Sequence, residues 1–121
     1  MSIEALSFIN KLLTDNGINY ELGEWTSDVV YPYFVGEYQE DPSTTEDGLQ
    51  ETTFILNGFT RGQWLDLELA KNTIEKIMNT TGILLNGNGI VVEYENSSII
   101  PTGEDELKRI QININVKEWG V

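Results

Sequence analysis

The clearest pattern of hydrophobic and polar positions lies near the end of the chain, over Arg109–Trp119. From Ile110 to Lys117, isoleucine or valine alternates with glutamine, asparagine or lysine; the apolar set is Ile110, Ile112, Ile114 and Val116. A period of two places the apolar side chains on one face of a β-strand. The segment therefore predicts a strand with one buried face and one face that is solvated or shared with a partner.

Four other segments have the composition of strands. They are rich in aromatic and β-branched residues, which fit a pleated and half-buried surface. The sequence between the last two contains two Asn-Gly pairs, which favour a hairpin turn. A further Asn-Gly pair predicts a turn at Asn57-Gly58, and the polar segment Asn96–Glu106 is predicted to be a loop. The predicted strands are Val29–Tyr38, Glu51–Asn57, Ile83–Leu85 and Ile90–Glu95.

Two segments show the period of amphipathic helices. Ser2–Asp15 has apolar residues three and four positions apart, and Asn16-Gly17 follows as a natural stop. The second segment is predicted to begin with Thr60 as N-cap and Gln63 three residues later, which is a capping box, and to run to Asn79. Phe59 and Trp64 are placed for a hydrophobic staple at the start of this helix, and Gly82 is expected to stop it. Its apolar stripe consists of Trp64, Leu67, Ala70, Ile74, Ile77 and Met78.

These elements predict one α+β domain over residues 1–121, with a single mostly antiparallel sheet and two helices packed on one face. The segment Gln39–Gln50 carries Glu40, Asp41, Glu46 and Asp47 without a basic residue. It has too few apolar side chains to offset the entropy of ordering it. We therefore expect an exposed, mobile acidic loop at about residues 39–50.

The charge of the chain is strongly negative and unevenly distributed. Residues 1–60 hold eleven acids and one base, a net charge of −10, and residues 61–121 hold nine acids and six bases, a net charge of −3, which together give −13. Such a chain repels phosphates at long range, so groove-reading or phosphate-clamping of nucleic acid is not expected. The asymmetry fits either plain solubility or a surface that stays near DNA without binding it.

No residue set forms a recognisable active site. The absence of cysteine and histidine excludes disulfides, thiolate nucleophiles, zinc sites of the Cys/His type and the usual proton shuttle at neutral pH. The acids near Glu40 lack the spacing of a calcium loop, and the consecutive acids Glu104–Glu106 are expected on an exposed loop. The sequence thus predicts no enzyme, no cofactor and no metal.

The start of the chain lacks the basic region and the cleavage site of a signal peptide, and the longest apolar runs are too short to cross a bilayer. Synthesis inside the cell, without a membrane partner, is the expectation.

The order of elements and the strand motif Tyr31-Pro32-Tyr33-Phe34-Val35-Gly36-Glu37 resemble small phage tail-completion proteins. These are the tail terminators and the tail-to-head joining minor tail proteins of long-tailed phages and prophages. The resemblance covers nearly the whole chain: a helix, the motif-bearing strand, a polar loop, a second strand, a helix and closing strands. It departs from the commoner pattern at the start of the second helix, where only Arg61 stands in place of a more basic stretch.

This resemblance implies a structural protein of the virion tail, made in the cytoplasm of the bacterial host. Its partners would be other copies of itself in a ring, usually of six, together with the tail tube protein and the head connector. DNA would pass through the ring without specific binding. The resemblance further implies an inter-subunit contact at Arg61 and a loop that faces the lumen or an interface, formed by Glu37, Glu40, Asp41, Glu46 and Asp47.

Two other classes stay open from the sequence. One is an acidic protein-binding module without a viral role, such as an inhibitor or immunity-type protein whose surface mimics DNA; it would form a 1:1 complex with a basic protein. The other is a carboxylate enzyme, which would require two acids held in a cleft with displaced titration.

Overall fold

The computed structural model describes residues 1–40 and 48–120. In this part of the chain it has two helices and six strands, in the order α1 Ile3–Asp15, β1 Tyr20–Leu22, β2 Tyr33–Glu40, β3 Leu49–Thr60, α2 Trp64–Ile77, β4 Asn79–Ile83, β5 Gly89–Ile100 and β6 Lys108–Trp119. The strands form one sheet in the order β1-β2-β3-β6-β5-β4. The β1–β2 pair is parallel and the other pairs are antiparallel. The predicted α+β class and the mostly antiparallel sheet are confirmed.

The register of the central strands places their apolar side chains on one face. Phe54 pairs with Ile114 and Leu56 with Ile112 across β3 and β6, and none of these four side chains is exposed. The alternation predicted for β6 is confirmed. The hydrophobic core unites this face with buried residues of both helices: Ala5, Ile9 and Leu13 of α1, and Leu67 and Ile74 of α2, with Met78 directly after α2.

Helix α1 begins and ends where its sequence predicts. The hydroxyl of Ser2 accepts a hydrogen bond from the Ala5 amide at 3.0 Å, which is the usual N-cap contact. Gly17, after the C-cap Asn16, has a φ of 79°, a conformation that glycine adopts without a steric penalty. Ile3, the first apolar residue of this segment, is 79% exposed and does not belong to the buried face.

Helix α2 begins at Trp64 and not after Thr60, so the predicted cap and staple are wrong. Thr60 is buried as the last residue of β3, where it pairs with Lys108. The first turn is closed by Asp66, whose carboxylate accepts a hydrogen bond from the Gln63 amide at 3.0 Å. Phe59 stacks on Tyr33 on the far face of the sheet, so it is unavailable to Trp64. Pairing with β6 extends β3 through Thr60, so Thr60 does not cap α2 although the local sequence favours a cap there.

The turn expected at Asn57-Gly58 is also wrong, because both residues lie inside β3 between β2 and β6. Gly58 is required there by close packing: a Cβ atom at this position would lie 2.3 Å from the Phe34 ring. Gly82 does not stop α2 either. It lies in β4, pairs with Ile90 and faces the Phe8 ring.

Several strand boundaries differ from the sequence-based prediction. β2 begins at Tyr33, after Pro32, which cannot donate a ladder hydrogen bond. Residues 39–40 and 49–50 belong to β2 and β3, so they are not part of a loop, and residues 41–47 lie outside the described residues. β5 continues through the expected loop to Ile100, because a bulge at Glu95 shifts its register with β6 and turns Asn96 and Ser98 toward polar neighbours. The hairpin before β5 is confirmed, but its first strand is Asn79–Ile83 and not the predicted Ile83–Leu85, and α2 ends at Ile77 and not at Asn79.

Candidate interaction surface

The second face of the sheet, which we call the open face, carries the alternate side chains of the central strands. Most of them are polar, aromatic or charged, and most keep part of their surface exposed. Side chains on this face come from β2, β3 and β6: Tyr33, Val35, Glu37, Glu51, Thr53, Ile55, Asn57, Phe59, Arg109, Gln111, Asn113, Asn115 and Lys117.

A hydrogen-bonded chain crosses three strands of this face. Arg109 donates from Nη2 to Oδ1 of Asn57 at 2.7 Å, and Asn57 donates from Nδ2 to Oε1 of Glu37 at 3.2 Å. Asn57 is only 8% exposed, so its amide is held in place by both charged neighbours. Arg109 also lies over the Phe59 ring, with its guanidinium carbon 5.8 Å from the ring centroid.

An aromatic cluster continues from Phe59 to the end of the sheet. The Tyr33 ring stacks on Phe59 at a centroid distance of 5.3 Å, and Trp25 packs on Tyr33 at 4.9 Å. Tyr31 adds a fourth ring at 5.8 Å from Tyr33 and is 41% exposed. Burial and the nearby Tyr31 raise the pKa of Tyr33 above its ordinary value. These rings thus form a partly exposed surface in which the packing of each ring on its neighbour fixes its position.

A groove of about 320 Å³ runs beside this cluster. Its lining combines apolar surface with a carboxylate, an amide and a guanidinium, contributed by Gly23, Val35, Glu37, Asn57, Phe59 and Arg109. The Nε atom of Arg109 is buried and has no hydrogen-bond partner in the part of the chain that the structure describes. The groove has the composition of a recognition site, with fixed polar groups set in an aromatic wall.

The loop before β2 is fastened by one carboxylate. Glu21 accepts a hydrogen bond from the Thr26 hydroxyl at 2.6 Å and others from the amides of Thr26 and Ser27 at 3.2 and 3.3 Å. The Thr26 hydroxyl is the main cause that lowers the pKa of Glu21. Trp25 in turn donates from Nε1 to the carbonyl oxygen of Asp28 at 3.3 Å. The loop therefore presents Trp25 to Tyr33 in a defined position.

Arg61 lies beyond β3, near the same aromatic cluster. Its guanidinium donates to the Glu104 carboxylate at 3.0 Å, and both side chains are well exposed. Hydrogen bonds with Glu104 and with Tyr31 raise the pKa of Arg61. An exposed pair of this kind contributes little to stability, so it can exchange partners readily.

The sequence-predicted loop residues separate in the structure. Glu37 lies on the open face and accepts from Asn57, whereas Glu40 lies at the far end of β2 and forms an ion pair with the amino group of Met1. Asp41, Glu46 and Asp47 lie outside the described residues. The structure thus does not bring Glu37 and Glu40 into one site.

A second set of polar contacts joins β5 to β6. Asn113 accepts from Gln111 at 3.2 Å and donates to Asn96 at 2.7 Å, and Asn115 donates to Glu95 at 3.1 Å. The bulge at Glu95 makes these contacts possible. These hydrogen bonds fix the amide side chains of β6. The alternating sequence predicts that they share a polar face but does not predict their partners.

Sequence reasoning missed the residues that organise this surface, namely Asn57, Arg109 and Trp25. Asn57 was assigned to a turn, and Arg109 is 52 positions away from it in the chain. A usable signal was present in the two arginines of the chain: Arg61 directly follows β3, and Arg109 is the second residue of β6, the strand that pairs with β3. Only the register shows that Arg109 lies opposite Phe59.

The titrating groups that the structure describes form no catalytic arrangement that we can identify. Among residues 1–40 and 48–120, no three or more acids gather where they could hold a metal ion. Burial raises the pKa of Tyr20 to about 12, which keeps its hydroxyl neutral within the core. The described helices include none that is long and apolar enough to cross a membrane. The geometry of the open face is suited to binding another surface.

No protein-family model matches this sequence, and no curated protein matches it. The fold, in contrast, is similar to that of a protein chain in the solved structure of the virion of a native gene transfer agent (GTA) particle. The two chains are 10% identical, the match covers 90% of this chain and 84% of that chain, and the TM-score is 0.71. At this identity the similarity establishes a shared fold.

Proposed function

We propose that this chain is a structural protein of a phage or phage-like particle. The observation that carries the proposal is the fold shared with a chain of the GTA virion over 90% of this chain. The resemblance of its sequence motif and element order to phage tail-completion proteins supports it independently. The finer proposal is a tail-completion protein that forms a ring at the head-proximal end of the tail tube and joins the tail to the head.

The surface of the molecule supports an assembly role. Several large apolar side chains remain exposed, among them Leu65 and Leu69 on α2 and Ile83 and Leu85 at the β4–β5 hairpin. Within the proposal, these side chains contact other proteins of the particle, since apolar surface marks such contacts where it is contiguous. We also infer that both helices cover the core face, since residues of both share its single cluster, and that the open face stays available to a partner.

Charge supports the role proposed for DNA. A net charge of −13 would make a ring built from this chain repel the phosphates of a passing duplex, so the duplex would slide without being trapped. Within the proposal, Glu37 and Glu40 face the lumen or a subunit interface and Arg61 contacts a neighbouring subunit. The protein has no catalytic activity of its own in this proposal, and its place is the virion tail.

The proposal is tested by deleting the gene in the genome that encodes the protein and examining the particles by electron microscopy. We expect heads and tails that fail to join, or tails of irregular length, and restoration of joined particles when the gene is supplied in trans. Purified protein added to isolated tail tubes should appear as a ring at one end only. Normal joined particles from the deletion strain would contradict the proposal.

The negative charge favours one alternative, the DNA-mimicking binding module. That protein would form a 1:1 complex with a basic partner, and the affinity would fall steeply with salt. Size measurement of the complex formed in a lysate at low and high salt separates the two. A salt-sensitive 1:1 complex, together with no binding to tail tubes, would replace the virion proposal by this alternative.

A further inference from the structure

The two edges of the sheet differ in how well they are protected. Among the described residues the sheet ends at β1 on one side and at β4 on the other. An exposed edge presents unpaired backbone N–H and C=O groups, and proteins usually protect it with a very short strand, a charged side chain, a proline or a bulge. β1 has this protection, because it has three residues and carries Glu21. β4, Asn79–Ile83, has five residues without a charge or a proline, and its register with β5 contains no bulge.

The absence of charge extends well beyond β4. Between Lys76 and Glu93 the sequence has no charged residue, and no other uncharged interval of the chain is as long. The whole net charge of −13 lies outside this interval, so two copies repel one another least along it. Ile83 is 81% exposed, and Leu85, in the turn that follows the strand, is 99% exposed. This edge thus combines exposed apolar side chains with a lack of charge in a strongly acidic protein.

The hairpin shows which backbone groups of β4 point away from the sheet. The amide of Leu84 donates to the carbonyl oxygen of Asn88 at 2.8 Å, so this pair occupies a hydrogen-bonded position of the ladder. Hydrogen-bonded and non-hydrogen-bonded pairs alternate along an antiparallel ladder. The N–H and C=O groups of Asn79, Thr81 and Ile83 therefore point away from β5. The Thr81 carbonyl accepts a long bond of 3.4 Å from the hydroxyl of the preceding residue, which leaves it open to a backbone amide.

The outward-pointing groups of β4 are complementary to those of another β4. In an antiparallel pair of two β4 strands centred on Thr81, Thr81 faces Thr81 of the second copy and Asn79 faces Ile83. All of these residues have their N–H and C=O groups directed outward, so each facing pair can exchange two hydrogen bonds. Threonine opposite threonine is a favourable cross-strand pair, and no charged side chain of β4 faces another in this register.

We propose that the β4 edge binds the β4 edge of a second copy and forms a two-fold dimer in which the two sheets are continuous. An unpaired strand edge recognises an extended backbone, and β4 itself supplies one that is unpaired, uncharged and of matching length. The contact is isologous, so it closes at two copies and does not build the ring proposed above. The inference does not rest on the virion function. Its consequence is that the dimer covers the edge on which other chains could otherwise aggregate.

Engineered disulfides test the register directly, because the chain has no cysteine of its own. Thr81→Cys places two thiols at the two-fold axis, where facing Cα atoms lie about 5.5 Å apart, within the range of a disulfide. Mild oxidation should convert most of this variant to a covalent dimer. Asn79→Cys and Ile83→Cys should each give little dimer alone, whereas an equimolar mixture of the two should give a high yield. Ser7→Cys, exposed on α1, controls for random collision and should remain monomeric.

A charge at the centre of the contact supplies a second measurement, without cross-linking. Sedimentation equilibrium of the parent should give a mass of twice the 13.7 kDa of one chain. Thr81→Lys and Thr81→Glu each place like charges directly opposite one another and should raise the Kd of the dimer about tenfold. An equimolar mixture of these two variants should recover the affinity of the parent, because the facing charges then attract. Ser7→Lys, the same charge change on α1, should leave the Kd unchanged, and circular dichroism checks that each variant is folded.

Three results would overturn the inference. The first is a parent protein that sediments as a monomer and forms no covalent dimer through Thr81→Cys. The second is a dimer that withstands Thr81→Lys, or that links equally well through Ser7→Cys, since its contact then lies elsewhere. The third is a monomeric parent that binds a strand of another protein and loses it in Thr81→Lys, which would assign the edge to that protein and reject the second copy. Each of these results leaves the proposed virion function standing, because the gene deletion tests that function separately.

Discussion

The core face and the open face are two sides of the same strands, but different kinds of contact determine them. The core face is a row of aliphatic and aromatic side chains, such as Phe54, Leu56, Ile112 and Ile114, whose placement follows from a period of two. The open face depends on particular pairs, such as Arg109 with Asn57, that lie 52 positions apart. The comparison teaches that periodicity identifies the core, whereas only strand register identifies the candidate interaction surface.

The energetics of the two faces should differ accordingly. Burying apolar surface is non-directional and depends on volume and area, so any deletion in the core leaves a cavity. Polar contacts on the open face contribute less each, because folding exchanges hydrogen bonds with water for hydrogen bonds within the protein. The open face can therefore change its side chains for a partner while the fold survives.

The largest contrast is expected between neighbours on β6. Ile112→Ala removes a fully buried side chain and should lower the free energy of unfolding by about 2–5 kcal/mol. Gln111→Ala, one residue away on the open face, should cost less than about 1 kcal/mol. Urea denaturation of both variants measures the difference. Equal losses would mean that the open face is packed as tightly as the core.

The same contrast explains how far the sequence could predict the fold. The helix α1, the alternation of β6 and the β4–β5 hairpin follow from local patterns, and each is confirmed. β1 was missed because three residues carry too short a pattern, and it is positioned by parallel pairing with β2. Asn57-Gly58 has the chemistry of a turn, but strands on both sides extend β3 through it. Local propensity yields to such tertiary contacts.

The candidate surface could be predicted only in its composition. The motif Tyr31-Pro32-Tyr33 indicated an aromatic strand end, and Arg61 was singled out as a contact residue. What the sequence cannot encode in any short window is the meeting of Arg109 with Phe59, which requires β6 to pair with β3 in one register. Similarly, the bulge at Glu95 reverses the alternation of β5, so a period-two pattern fails there for a geometric reason.

A second prediction tests whether Asn57 stabilises the open face more than the other amide side chains do. Asn57→Ala removes the amide that joins Arg109 to Glu37 and leaves both charged groups without that partner. We expect a loss of about 1–3 kcal/mol in the free energy of unfolding, because unsatisfied groups beside a buried site cost more than the bond itself. Asn115→Ala, which removes a contact with the exposed Glu95, should cost less than about 1 kcal/mol. A smaller loss of unfolding free energy for Asn57→Ala than for Asn115→Ala would show that Asn57 has no special role in stabilising the open face.

A third prediction concerns the segment after β3, where the chain leaves the sheet and helix α2 begins. Asp66→Ala removes the carboxylate that accepts from the Gln63 amide and should lower stability by about 1 kcal/mol, the usual loss for a capping contact. Leu65→Ala, exposed in the same turn, is the matched control and should change stability by less than about 0.5 kcal/mol. Thermal melts at matched pH and salt measure both. An unchanged melt for Asp66→Ala would mean that packing alone determines where α2 begins.

The smallest effect is expected from Glu21, which fastens the loop that carries Trp25 to the open face. The Thr26 hydroxyl lowers the pKa of this carboxyl below its ordinary value. A group with a lowered folded pKa stabilises the fold above its unfolded pKa, and this contribution is lost as the pH falls through the folded pKa. The melting temperature of Glu21→Gln should therefore fall slightly below that of the parent at pH 7, and the two should converge on acidification below about pH 4.5. Glu24→Gln removes the same charge from the same loop without removing these hydrogen bonds, and comparison with it isolates them. If both variants shift the melting temperature equally at every pH, the effect is one of net charge, and the contacts of Glu21 do not position Trp25 for the open face.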